Sequence, residues 1–157
     1  MAEDTDLAIS GISIHDPDAA SAEIRVTLAV AHGTLTVKDN VSGGLTAAKI
    51  QGNVTGSVVL TGSLSQINNT LAASQGLVYR GQTNYVGADS LAVTANDQGN
   101  TGPGGAKSDA EQIAITVTAV NDAPVITIPG EQAVPSGAEL VLSGISITDA
   151  DAGSATV

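Results

Sequence analysis

One stretch of this chain occurs twice. Leu7-Ala-Ile-Ser-Gly-Ile-Ser-Ile-His-Asp-Pro-Asp-Ala returns as Leu140-Val-Leu-Ser-Gly-Ile-Ser-Ile-Thr-Asp-Ala-Asp-Ala, and Ser143 aligns with Ser10 at a spacing of 133 residues. The match is nearly gap-free over about a dozen positions, too long for coincidence in a chain of biased composition. A spacing of that size is a whole domain. The chain of 157 residues therefore reads as one repeat, residues 1–122, followed by the opening strands of the next, residues 123–157. The first repeat lacks its own version of Val125–Val134. The strands after Pro124 need partners. They fold back, pair with another chain, or stay poorly ordered.

The strands themselves are legible from a period of two. Leu91, Val93 and Ala95 alternate with polar or small residues, as do Ile113, Ile115 and Val117, which is the mark of a half-buried strand. Further strands are expected at Leu7–Ile14 (with a bulge near Ser10-Gly11), Ile24–Val30, Thr34–Val37, Ser57–Thr61 and Leu77–Tyr79. Lys38–Asn53 is weakly patterned and reads as loop, with a short strand around Leu45–Ile50. Ser63–Ala73 breaks the pattern. Leu64, Ile67 and Leu71 share one helical face, and Ser63 with Gln66 three residues on forms a capping box. With 42% hydrophobic residues but only 1% aromatic, the core must be aliphatic, and the 18 glycines suit many turns. The expectation is an all-β Greek-key sandwich with one short helix.

The formal charge is −11, from 16 acids against 5 bases. Such a chain offers no basic patch to release counterions from nucleic acid or to hold an anionic membrane. Its acids repel one another unless something neutralises them. There are no cysteines, which excludes disulfides and thiolate chemistry. No apolar run approaches the ~18 residues of a membrane span. Met1-Ala2 leads straight into Glu3-Asp4-Thr5-Asp6, which is not a signal peptide, so a targeting signal is expected outside this stretch.

The acids gather where strands end: Asp16-x-Asp18, Asn96-Asp97-x-Gly99, and Asn121-Asp122 before Pro124. Calcium takes six to eight oxygen ligands from carboxylates, Asn side chains and backbone carbonyls, and these clusters offer that donor set. Asp and Asn also favour turns, because their side chains bond the nearby backbone. Asp89 reads as a turn cap, and Asp109 and Glu111 as solvated acids. His15 and His32 have no zinc-like spacing. No G-x-S-x-G elbow and no phosphate-binding loop are present, Gly102–Gly105 being read as a turn.

Ala95-x-Asp97-x-Gly99 after a strand, then a strand and Val120-Asn121-Asp122-Ala123-Pro124, resembles the end of a cadherin repeat. Asp16-x-Asp18 resembles the D-x-D of that family. The run from Gly76-Leu-Val-Tyr79 to Tyr85–Leu91 resembles bacterial cadherin-like repeats of large type I-secreted, RTX-type adhesins. The resemblance implies calcium between successive repeats. Asn121 and Asp122 would share a site with Asp149 and Asp151 of the next repeat, while Asp16, Asp18 and Asp97 would face the linker of a preceding one. Two departures imply fewer ions per junction or weaker binding. The linker lacks the family's leading Asp and final Asn, and no Asp-Arg-Glu follows the helix. Glu3 is a further possible ligand, although its counterpart is Ser136.

The implied function is a secreted, cell-surface extender repeat without enzymatic activity, supporting cell adhesion or biofilm formation. Its partners would be the neighbouring repeats, with a homophilic or surface glycan contact beyond them. The alternative is a module that presents the Lys38–Asn53 or Asn100–Ser108 loop to a glycan or protein. Paired carboxylates could in principle hydrolyse glycosides, but acids beside Asn and Gly at strand ends suit a cation better.

Overall fold

Alternating aliphatic and polar residues become strands throughout the first three quarters of the chain. The structure is a computed structural model that describes residues 1–19, 21–100 and 104–152. The strands are β1 (Asp6–Ile9), β2 (Glu23–Ala29), β3 (Gly33–Val37), β4 (Ile50–Gln51), β5 (Ser57–Ser63), β6 (Leu77–Gly81), β7 (Gly87–Asn96), β8 (Ser108–Val117), β9 (Val125–Thr127) and β10 (Ser146–Thr148), with one helix, α1 (Leu64–Ala72). All ten pair antiparallel, in sheets of order β1-β6-β3, β4-β5-β2-β7-β8 and β10-β9. The chain divides into two compact units, Met1–Thr118 and Ala119–Val157.

The first unit is an all-β sandwich. Its chain passes back and forth between the three-stranded and five-stranded sheets, as in Greek-key sandwiches. The inward residues of both meet in one core. Ile24, Val26 and Leu28 of β2, Val58 and Leu60 of β5, Leu91 and Val93 of β7, and Ile115 and Val117 of β8 face Leu35, Val37, Leu77 and Tyr79 of the smaller sheet. Interdigitated aliphatic faces of this kind are what two-sheet packing requires. Tyr79 supplies the fully buried aromatic bulk, and Tyr85 packs partly against the core.

β5 runs into α1 with no intervening loop. Ser63 is both the last strand residue and the N-cap. Its hydroxyl accepts from the Gln66 N–H at 3.3 Å, and the Gln66 side chain accepts from the Ser63 N–H at 3.1 Å. Nine residues are too few for an isolated helix, so packing holds it. Ile67 and Leu71 are buried in the core, and Leu64 packs against it. Gly76 ends this excursion, because an added Cβ would lie 2.0 Å from the Thr70 carbonyl oxygen.

Several elements differ from the sequence expectation. β1 stops at Ile9, and Leu7–Ile14 is not one bulged strand. The short strand expected over Leu45–Ile50 is a 3-10 turn, Ala47–Lys49, leading into two-residue β4. That segment is tied down by distant side chains: the Thr70 hydroxyl accepts from the Leu45 N–H at 2.7 Å, and Asn53 bonds both backbone groups of Val37. The Gly102-Pro103 part of the expected turn lies outside the described residues.

Among its described residues, the second unit holds one pair of strands, β9 with β10. All six of their residues are exposed.

Candidate metal centre

The two acidic groupings expected from sequence are each assembled within one unit. In the first unit Asp16, Asp18 and Asp97 line a common open cleft of about 280 Å³, together with Asn96, Lys107 and Asp109. β7 and β8 deliver Asn96, Asp97 and Asp109 to this end of the sandwich, and the loop before β2 delivers Asp16 and Asp18. Glu3, the further ligand considered, is buried and does not line this cleft.

Each carboxylate also shapes its own loop. Asp16 Oδ1 accepts from the N–H groups of Asp18 and Ala19, at 2.9 and 3.1 Å. Asp97 Oδ1 accepts from Gly99 and Lys107, at 2.9 and 2.7 Å. The Lys107 and Gly99 amides, with the Lys107 ammonium nearby, hold the Asp97 carboxyl below the usual carboxylate range. Asn96 accepts from the Gln98 N–H at 2.8 Å. The bonds to Asp18, Ala19, Gly99 and Gln98 are local turn bonds of the kind Asp and Asn favour, so the turn reading of these residues is correct as far as it goes, while the Lys107 bond reaches across the loop between β7 and β8.

In the second unit the Asp151 N–H donates to Asp149 Oδ1 at 2.9 Å, the Asp122 N–H donates to the Asp151 carboxylate, and the Asn121 side-chain amide donates to the Asp122 carbonyl at 3.1 Å. Asp122 and Asp149 are half-buried while most of this unit is exposed. The Asp149–Asp151 turn reproduces the Asp16–Asp18 turn at the 133-residue spacing, with the same carboxylate-to-amide bond two residues on. Gly11 and Gly144, at the same spacing, share a left-handed backbone with φ of +83° and +82°. The repeat is thus one of local geometry as well as of letters.

The donor chemistry of both groupings is all oxygen, which fits a hard cation such as calcium. A carboxylate that anchors its loop through one oxygen has a second to offer a cation. Among the described residues no group of three or more His, Cys, Asp or Glu side chains converges as a ready metal cage.

The strongest carboxylate site lies elsewhere and was missed. Asp89, read from sequence as a turn cap, sits on β7, is 7% exposed, and is on the same strand face as Leu91 and Val93. It accepts from the N–H groups of Ala31, His32 and Ser90, at 3.1, 2.9 and 2.7 Å, and from the Tyr79 hydroxyl at 2.9 Å. Burial pushes its pKa up, but the His32, Ala31 and Ser90 amides and the Tyr79 hydroxyl outweigh it and hold the group below the usual range. Burial, reinforced by Asp89, pushes the Tyr79 phenol up. His32 stacks on Tyr85 at 4.4 Å beside this network. The period of two that places Leu91 inward also places Asp89 inward, and that was the available signal. With its four donors, Asp89 acts as a structural brace between β7 and the turn after β2.

No family model, curated protein or solved structure matches this chain.

Proposed function

We propose that the chain is a calcium-stabilised structural repeat of a bacterial surface adhesin of the cadherin-like, RTX type. It would extend and stiffen a tandem array and have no catalytic role. The observation that carries this reading is the repeated Asp-x-Asp turn at 133 residues, accompanied in each unit by acids from another part of the chain. Asp16, Asp18 and Asp97 would hold the ion in the first unit, and Asn121, Asp122, Asp149 and Asp151 in the second. A bound cation would neutralise acids in a chain of net charge −11 and tie together the loops that carry them. No helix is long and apolar enough to cross a membrane among the described residues.

Because the ion would bind the folded state, it raises stability by mass action, about 2.7 kcal/mol per site at a hundredfold excess over Kd. Thermal melts in EDTA and in millimolar calcium test this directly. EDTA lowers the midpoint and calcium restores it; a midpoint indifferent to calcium overturns the proposal. Asp97→Asn reduces the calcium response more than Asp109→Asn, and equal losses would remove Asp97 from the site.

A further inference from the structure

The five residues between β4 and β5, Gly52–Gly56, lie along the outer edge of β3. β3 ends the three-stranded sheet and pairs on one side with β6, from Gly33–Gly81 to Val37–Leu77. On its other side Leu35 and Val37 present their backbone groups, and this strap takes all of them. The Leu35 N–H donates to the Thr55 carbonyl at 2.8 Å, and the Leu35 carbonyl accepts from the Val54 N–H at 2.9 Å. The Asn53 side chain then bonds Val37 as a neighbouring strand would. Its Oδ1 accepts from the Val37 N–H at 2.7 Å, and its Nδ2 donates to the Val37 carbonyl at 2.9 Å. Just past the end of β2, the Val30 N–H donates to the Gly56 carbonyl at 2.9 Å and fastens the far end of the strap.

The strap is strained. Val54 has a φ of +64°, in the left-handed region where a β-branched residue is a genuine outlier. It is the only β-branched residue there among the described residues. Burial does not offset the strain, since Val54 is 61% exposed. Gly52 makes a second left-handed step at φ +70°, and a Cβ there would lie 2.4 Å from the Ser57 carbonyl oxygen. The Thr55 hydroxyl donates to the Gly52 carbonyl at 2.7 Å and accepts from the Ser57 N–H at 3.2 Å, which locks the loop from within. What the chain gains from this conformation is the closed edge of β3.

That edge has no other protection of its own. Gly33-Thr-Leu-Thr-Val37 carries no charge and no proline, the usual means of blunting an open strand, and its composition suits pairing with another chain. Leu35 and Val37 are 0% and 1% exposed, so core packing keeps β3 in place when the strap lifts. We infer that Gly52–Gly56 is an edge guard. It fills the hydrogen-bonding positions that the β3 of a second copy would otherwise take, and it holds them against strain at Val54. The inference does not rest on calcium.

The whole chain tests it, in EDTA so that no cation contributes. Val54→Pro removes the N–H that reaches Leu35 and imposes a negative φ. Asn53→Ala removes both bonds to Val37. Hydrogen exchange at Leu35 in the first variant, and at Val37 in the second, quickens at least tenfold more than exchange at Leu28 in the five-stranded sheet. By sedimentation each variant self-associates at least tenfold more tightly than the parent chain. The exposed strands of the second unit are common to all, so their contribution cancels. Adding Thr36→Lys, a charge at an exposed position of β3, returns the association to the parental level. Val54→Gly, which takes a left-handed φ freely, keeps the guard closed and raises the melting midpoint by about 2–4 °C. Four results would each overturn the inference: Leu35 and Val37 amides that stay protected in both variants, opened variants that associate no more than the parent, association that Thr36→Lys does not relieve, or a midpoint that Val54→Gly fails to raise.

Discussion

Leu7–Ile9 and Leu140–Leu142 occupy the same place in the repeat and have different fates. Leu7, Ala8 and Ile9 pair with Tyr79, Val78 and Leu77 of β6, and Ile9 enters the core. Leu140, Val141 and Leu142 belong to no strand, and Val141 is 85% exposed. A few residues on, the fates reverse. Ile147 pairs with β9, while Ile14 belongs to no strand. Aliphatic alternation makes a segment able to be a strand. Whether it becomes one is decided by a partner edge and an opposing sheet, which supply the cross-strand contacts that stabilise it.

The largest test of this contrast is truncation of one leucine in each unit. Leu28→Ala, fully buried on β2, is expected to cost about 3–5 kcal/mol in denaturant unfolding, whereas Leu142→Ala stays within about 0.5 kcal/mol. A comparable loss at Leu142 would mean that the second unit shares the core. Next comes the buried brace. Asp89→Ala leaves three amides without their acceptor and is expected to cost about 3 kcal/mol, against less than about 1 kcal/mol for Asp149→Ala at a half-buried turn. The two acids also differ with pH. The folded pKa of Asp89 lies below its unfolded value of about 3.9. Its stabilisation is therefore whole above that value and drains as pH falls through the folded pKa. Acid titration of Asp89→Asn should show a flatter fall than the parent chain below about pH 4, and parallel curves would remove Asp89 from the acid response. Tyr79→Phe, which deletes one donor to Asp89, costs about 1–2 kcal/mol. Ser63→Ala at the helix cap is the smallest, about 1 kcal/mol, and a null result would assign α1 wholly to its packing.

Much of the sandwich was legible from sequence because its strands are two-sided. One face of β2, β5 and β7 must be apolar, and the period shows it. The capping box of α1 was legible for a similar reason, since donor and acceptor lie three residues apart. What escaped was non-local. Lys38–Asn53 takes its shape from Thr70 and from Asn53 bonding back to Val37. Asp89 looked like punctuation because its four donors come from other parts of the chain as well as its neighbour Ser90. The proposed acidic site was legible as clusters of turn-forming acids, whereas their hydrogen bonds were not. Spacing and resemblance brought Asp16, Asp18 and Asp97 together, and likewise Asp122, Asp149 and Asp151. Neither foresaw that Asp16 and Asp97 would spend an oxygen on their own loop amides.

The two ends of the sandwich lie side by side. Ala2 bridges Thr118 in parallel, the Glu3 N–H donates to the Thr118 carbonyl at 2.9 Å, and the Thr118 N–H donates to the Met1 carbonyl at 2.9 Å. Parallel alignment means that tension drawing Met1 backward and Thr118 forward pulls the two segments along each other in opposite senses. The bonds between them are then loaded together, lengthwise, instead of peeling one after another. Tension applied along this line meets the seam before it reaches any strand of the interior.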